Sequence, residues 1–171
     1  LGEPTLSAKA SIHLVGGNLN KSPHPACARG IEKILGSNQV GIQERTRVLQ
    51  AGGGGLYSTI EDFGAFTRMI LNRGCGNGSQ VLKPETVDMM SVNQMNDCRV
   101  VELKSSDRTR SLDVEFFPGV RKTWGLSFMI NEEDAPTGRP AGSLSWAGLG
   151  NSYFWIDPKN GIAGVYATQI L

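Results

Sequence analysis

The feature that most constrains this chain is the texture of its last third. From Thr123 onward, segments rich in aromatic and branched residues, 124–130, 143–146, 151–156 and 162–170, are separated by short polar stretches. Two of these are Asp134-Ala135-Pro136-Thr137-Gly138 and Asp157-Pro158-Lys159-Asn160-Gly161. Parallel neighbours need a crossover of about a dozen residues or more, whereas short turns suffice between antiparallel ones. The spacing therefore predicts an antiparallel meander.

Helices precede it. Ser58 followed three residues later by Glu61 has the form of a capping box, and Asp62 adds negative charge at the same end. Ile60, Phe63, Phe66 and Ile70 recur at helical spacing, and Arg73-Gly74 supplies a terminal cation and a stop. A helix is expected over residues 59–73, with its Phe and Ile stripe as a core face. Pro84 opens a second helix whose short apolar side is Val87 and Met90 and whose end falls near Asn93. Residues 96–122 are charged and irregular and read as a long surface excursion, a plain solvated loop ahead of the alternative of a lid or rim loop. Residues 1–50 show weak periodicity and carry loop chemistry such as Gly16-Gly17-Asn18 and Lys21-Ser22-Pro23-His24-Pro25, so turns and short elements are expected there without being placed. The expected organisation is one domain, loop-rich over 1–50, helical over 51–95 and stranded over 123–171.

A chain of 171 residues can bury a core without a metal or disulfide staple. Seventeen Lys and Arg against sixteen Asp and Glu leave a net charge of +1, with only short, separated basic clusters, so no nucleic-acid footprint is present. No apolar run reaches the 18 or so residues that a bilayer span requires. Residues 1–10 show no secretory signal; a soluble protein is expected, with the compartment open and the cytoplasm favoured. Cys27, Cys75 and Cys98 stand at wide spacing without a C-x-x-C pair, and reduced thiols are the expectation, with a single disulfide as the lesser alternative. His13 and His24 have no companion ligands in sequence, so no metal is expected.

The run Gly52-Gly53-Gly54-Gly55 invites a phosphate-loop reading and fails it, because Leu56-Tyr57-Ser58 follows where Gly-Lys-Ser/Thr would have to stand. It also lacks the G-x-G-x-x-G spacing of a dinucleotide site. Asn20-Lys21-Ser22 and Asn77-Gly78-Ser79 fit the glycosylation sequon, and both are taken as surface asparagines.

Four blocks, taken together, carry more information than any one. The glycine run continuing into Leu56-Tyr57-Ser58-Thr59-Ile60-Glu61-Asp62-Phe63 is followed by Val81-Leu82-Lys83-Pro84-Glu85-Thr86-Val87 and then by Trp124-Gly125-Leu126-Ser127-Phe128. The last block runs Ser145-Trp146-Ala147-Gly148-Leu149-Gly150-Asn151-Ser152-Tyr153-Phe154-Trp155-Ile156-Asp157-Pro158. In order and interval they resemble the esterase and transesterase branch of the beta-lactamase and penicillin-binding-protein superfamily, over roughly residues 51–171. The resemblance implies an α+β fold of the beta-lactamase and transpeptidase type, an antiparallel sheet packed by helices, present here as its C-terminal portion. Both ends of the chain look cut on this comparison, and the remaining N-terminal part of the fold is an expected partner.

In that superfamily a serine attacks an acyl carbon, a lysine one helical turn later helps deprotonate it, and a strand bearing Lys-Thr-Gly or a variant forms the far wall. No serine of this chain has a lysine three residues later, and no Tyr-x-Asn occurs. Ser91-Val92-Asn93 mimics a Ser-x-Asn box but falls at a predicted helix end, and Lys122-Thr123-Trp124 stops one residue short of Lys-Thr-Gly. The position equivalent to Lys-Thr-Gly is Trp146-Ala147-Gly148, similar to the Trp-x-Gly form of the esterase branch.

The resemblance thus implies substrate-binding roles for Trp146, Ala147 and Gly148 and an oxyanion-hole role for the backbone N–H of Leu149. It implies a small-molecule acyl substrate, an ester, amide or lactam, with neutral esters favoured by the missing lysine, and no metal or organic cofactor. The complete protein is expected to be a serine hydrolase or acyltransferase, and this chain alone inactive. A binding or scaffolding protein that keeps the fold without the chemistry is the alternative.

Overall fold

The computed structural model describes residues 58–109, 111–148 and 150–168, together with the backbone of residues 11–16. The glycine run Gly52–Gly55, Cys27, His24, Asn20 and Leu149 lie outside the described residues. Among the described residues two helices, α1 (Ile60–Leu71) and α2 (Pro84–Met90), accompany eight strands. These are β1 (Ser11–Gly16), β2 (Cys75–Gly76), β3 (Ser79–Gln80), β4 (Lys122–Trp124), β5 (Met129–Asn131), β6 (Leu144–Gly148), β7 (Ser152–Asp157) and β8 (Ile162–Ala167).

Helix α1 starts one residue later than the capping-box pattern indicates. Thr59, not Ser58, is the N-cap, and its Oγ1 accepts from the Asp62 N–H at 3.1 Å. Two adjacent hydroxyl residues compete for this place, and the one in extended backbone, with φ −96° and ψ 163°, wins. The chain leaves the helix through Arg73 (φ +51°) and Gly74 (φ +88°). A Cβ on Gly74 would come within 2.1 Å of the Leu82 carbonyl oxygen, so the stop also packs against the approach to α2. Between them Asn77 (φ +50°) and Gly78 (φ +78°) form the two-residue turn of the β2–β3 hairpin, an Asn-Gly signal for a primed turn. Cys75, at the start of that hairpin, is disulfide-bonded, which corrects the expectation of reduced thiols; Cys98 is free and exposed. Linear spacing says nothing of which sulfurs the fold brings together. Helix α2 is shorter than expected: Ser91 is its C-cap and Ser91 Oγ donates to the Val87 carbonyl at 2.8 Å.

The six longer strands make one antiparallel sheet in the order β1-β8-β7-β6-β5-β4. Four neighbouring pairs from β4 to β8 are consecutive in sequence, which is the meander that the short polar separators predict. Two details differ. The apolar stretch 124–130 is not one strand but the hairpin of β4 and β5, closed where the Gly125 N–H donates to Phe128 O at 2.8 Å. Only glycine fits there, since a Cβ on Gly125 would come within 2.0 Å of Met90 O at the end of α2. In addition β1, from the stretch the sequence left unplaced, pairs with β8 from Ser11↔Ala167 to Gly16↔Ile162.

Helix α1 lies over β1, β7 and β8. Beneath the helices a row across the strands, Ile130, Leu144, Ile156 and Ala163, is 0–4% exposed and joins Met69, Ile70, Leu71, Val87 and Phe128 in one core. Phe63 and Phe128 pack on Phe154 at 5.1 and 6.0 Å between ring centroids. Non-directional burial of this kind holds the sheet in place. Among the described residues no helix is long and apolar enough to cross a membrane.

Candidate active-site cleft

A cleft of about 660 Å³ opens beside the end of β6, between that strand and the 96–122 segment. Trp146, Ala147 and Gly148 line it from the sheet side. Trp146 is fixed by aromatic contacts, edge-on to Trp124 at 4.5 Å and tilted against Phe116 at 5.9 Å. Such geometries set the positive ring edge of one partner towards the negative face of the other. Gly148 is exposed, and a Cβ built on it would meet nothing closer than Ser152 O at 4.0 Å. The described residues therefore leave room for a side chain at 148.

The turn from β6 to β7 follows at once. Asn151, at φ +54°, closes it by donating its N–H to Gly148 O at 3.1 Å. Thr168 fastens the turn from the end of β8: its buried hydroxyl lies 2.6 Å from Gly150 O and 3.0 Å from Asn151 O. Leu149 is outside the described residues.

The opposite wall comes from the 96–122 segment, which is more than a solvated excursion. Leu103 and Val114 exchange backbone hydrogen bonds at 2.8 and 3.0 Å, and with Leu112 and Phe116 they present apolar groups to the cleft. Polar groups hold this wall at its rim. Asp113 accepts from the Ser105 N–H at 2.9 Å and pairs with Lys104 at 3.2 Å and Arg108 at 2.8 Å, while Lys104 also meets Glu102 at 2.7 Å. The Ser105 N–H, followed by the Lys104 hydrogen bond, holds the Asp113 carboxyl below its ordinary range. The bond to Glu102, ahead of the one to Asp113, raises the Lys104 ammonium. The two cations on the described lining of the cleft thus already have carboxylate partners. At the inner end Phe117 has φ +50°, a left-handed conformation that costs a bulky side chain about 1–3 kcal/mol.

The sequence profile of the beta-lactamase family matches residues 8–171. The chain belongs to the beta-lactamase family. Protein Rv1367c of Mycobacterium tuberculosis is 30% identical over 123 residues, covering 68% of this chain and 28% of that protein. The acyltransferase calJ of Penicillium decumbens is 26% identical over 135 residues, 70% of this chain and 28% of its own. Among solved structures, the LovD6 mutant of simvastatin synthase (LovD) from Aspergillus terreus superposes with a TM-score of 0.51 at 27% identity. That superposition covers 70% of this chain and 30% of the mutant. The chain spans about 28% of the length of these curated relatives. Its fold is accordingly the C-terminal portion of the beta-lactamase and transpeptidase fold, an antiparallel sheet packed by helices.

Beta-lactamase-family members are serine hydrolases and acyltransferases, and two motif mimics in this chain have other structural surroundings. Lys122 is 1% exposed and its Nζ donates to the carbonyls of Phe117 at 3.0 Å and Val120 at 2.7 Å. Thr123 is fully buried and hydrogen-bonded to Glu132. Neither lines the cleft, and nor does Ser91. The residues that sequence reasoning missed are those of the far wall: Leu103, Leu112, Val114 and Phe116. A signal for them exists in the alternation Leu112-x-Val114-x-Phe116, which gives one apolar face to an extended segment.

Proposed function

We propose that this chain supplies the strand wall and the facing wall of an acyl-serine site that acts on small neutral esters, by hydrolysis or by transfer to an alcohol. The observation that carries the reading is the lining of the cleft by Trp146-Ala147-Gly148, with open space over Gly148 and no free cation on the described lining. A small residue lets an acyl group approach the strand backbone, and the Leu149 N–H would donate to the oxyanion. One such donor is worth about 3–4 kcal/mol of transition-state stabilisation. The nucleophilic serine and its lysine would come from residues outside these 171, since no Ser-x-x-Lys occurs within them. The acyltransferase name of the Penicillium relative supports acyl transfer as one outcome.

A carboxylate-bearing beta-lactam would bring an anion to a wall whose described cations, Lys104 and Arg108, are already paired, an uncompensated desolvation cost. The disulfide at Cys75 supports an oxidising compartment over the cytoplasm. The test compares a para-nitrophenyl acyl ester with a chromogenic cephalosporin in the full-length protein and in Trp146→Lys. The ester is expected to have the higher specificity constant, and the lysine to move the ratio towards the cephalosporin. A preference for the cephalosporin in the unmodified protein replaces this reading with an ordinary beta-lactamase. No turnover and no serine label from a phosphonate, in a full-length protein without Ser-x-x-Lys, leaves a binding or scaffolding protein.

A further inference from the structure

One guanidinium ties the sheet to the far wall of the cleft. The Cζ of Arg139 lies 4.9 Å from the centroid of Trp155, on β7, and 5.2 Å from that of Phe117, in the 96–122 segment. Trp155 occupies its place because residue 164 is glycine: a Cβ there would come within 2.1 Å of the indole. A planar guanidinium can lie against aromatic faces in a way that a lysine ammonium does not reproduce. Phe117 is the residue at φ +50°, and its carbonyl oxygen accepts from the buried Lys122. The residue immediately before it, Phe116, packs on Trp146 and lines the cleft.

We propose that Arg139 is a positioning residue for the cleft: by holding Phe117 to Trp155 it fixes the left-handed joint that sets Phe116 against Trp146. It thereby sets the separation between β6 and the 96–122 wall. This requires only the cleft's geometry and stands apart from the acyl chemistry proposed above. An Arg139 that merely covers Trp155 would act on that ring alone, so the two roles differ in what Trp146 senses.

The chain has three tryptophans, which makes fluorotryptophan labelling and fluorine NMR a direct readout. Resonances are assigned with Trp124→Phe, Trp146→Phe and Trp155→Phe, and the labelled protein is compared with Arg139→Gln and Arg139→Lys. The Trp155 resonance moves in both variants because its stacked guanidinium plane is lost. The proposal expects the Trp146 resonance to shift or broaden beyond its original linewidth as well, more in Arg139→Gln than in Arg139→Lys. A Trp146 resonance that stays in place while Trp155 moves overturns it. Should Arg139→Gln fail to fold, Arg139→Lys and Phe117→Leu decide: the latter removes the second ring and leaves Arg139 intact. Movement of Trp146 in this pair supports the joint, and an unmoved Trp146 in both contradicts it.

Discussion

The row of side chains under the helices and the far wall of the cleft are both apolar, yet they are held in opposite ways. Leu144 and Ile156 are fully buried and Ile130 is 4% exposed, whereas Leu103 and Val114 are each 38% and Leu112 75% exposed. Apolar area removed from water stabilises by roughly 25 cal/mol per Å², so the first set carries the fold. The second set contributes little until something covers it. One bridge between Leu103 and Val114 and the aromatic joint at Phe116 and Phe117 hold that wall instead, and the exposed ion pairs at its rim add little. The core fixes the strand backbone on which Trp146, Ala147 and Gly148 sit, and the opposing surface stays apolar and open.

That contrast breaks if the two regions respond alike to truncation. Leu144→Ala should destabilise the fold by about 2–5 kcal/mol, read from denaturant unfolding, because a fully buried side chain leaves a cavity with its neighbours held by the sheet. A loss under about 1 kcal/mol would mean that the row is not the core. Thr59→Ala should cost about 1 kcal/mol by removing the cap of α1, while Ser58→Ala changes stability by no more than a few tenths. The reverse order would return the cap to Ser58. Arg108→Ala, at the rim of the far wall, should fall within about 0.5 kcal/mol of the original, since an exposed pair is screened by water. A larger loss would give the rim a structural weight that the contrast denies it.

The parts of the molecule that were legible in sequence are those whose cause is local. Short polar separators dictate antiparallel neighbours, so β6, β7 and β8 fall close to their expected places. The hairpin at Gly125 was hidden because Trp-Gly-Leu-Ser-Phe-Met-Ile keeps a strand-like composition straight through the turn, and the close approach of Met90 O is a tertiary fact. Asn77-Gly78 is a local turn signal that also falls within a sequon. The pairing of β1 with β8 joins residues about 150 positions apart, which no window along the chain contains. In the cleft, the resemblance points to Trp146, Ala147 and Gly148, and these three share the lining of one opening. Phe116 and Arg139 were not found, because their roles depend on neighbours from other parts of the sheet.

The central claim is that the strand bearing Gly148 is the wall against which substrate lies. Gly148→Val tests it most directly in the full-length protein, because the residue is exposed with no neighbour nearer than 4.0 Å to its Cβ position, so the fold can accept the branch. Ester turnover should fall by about 100-fold, the scale set by displacing a reacting group by roughly 1 Å, with the unfolding midpoint nearly unchanged. Full turnover by a folded Gly148→Val protein would contradict the claim and move the substrate off this strand.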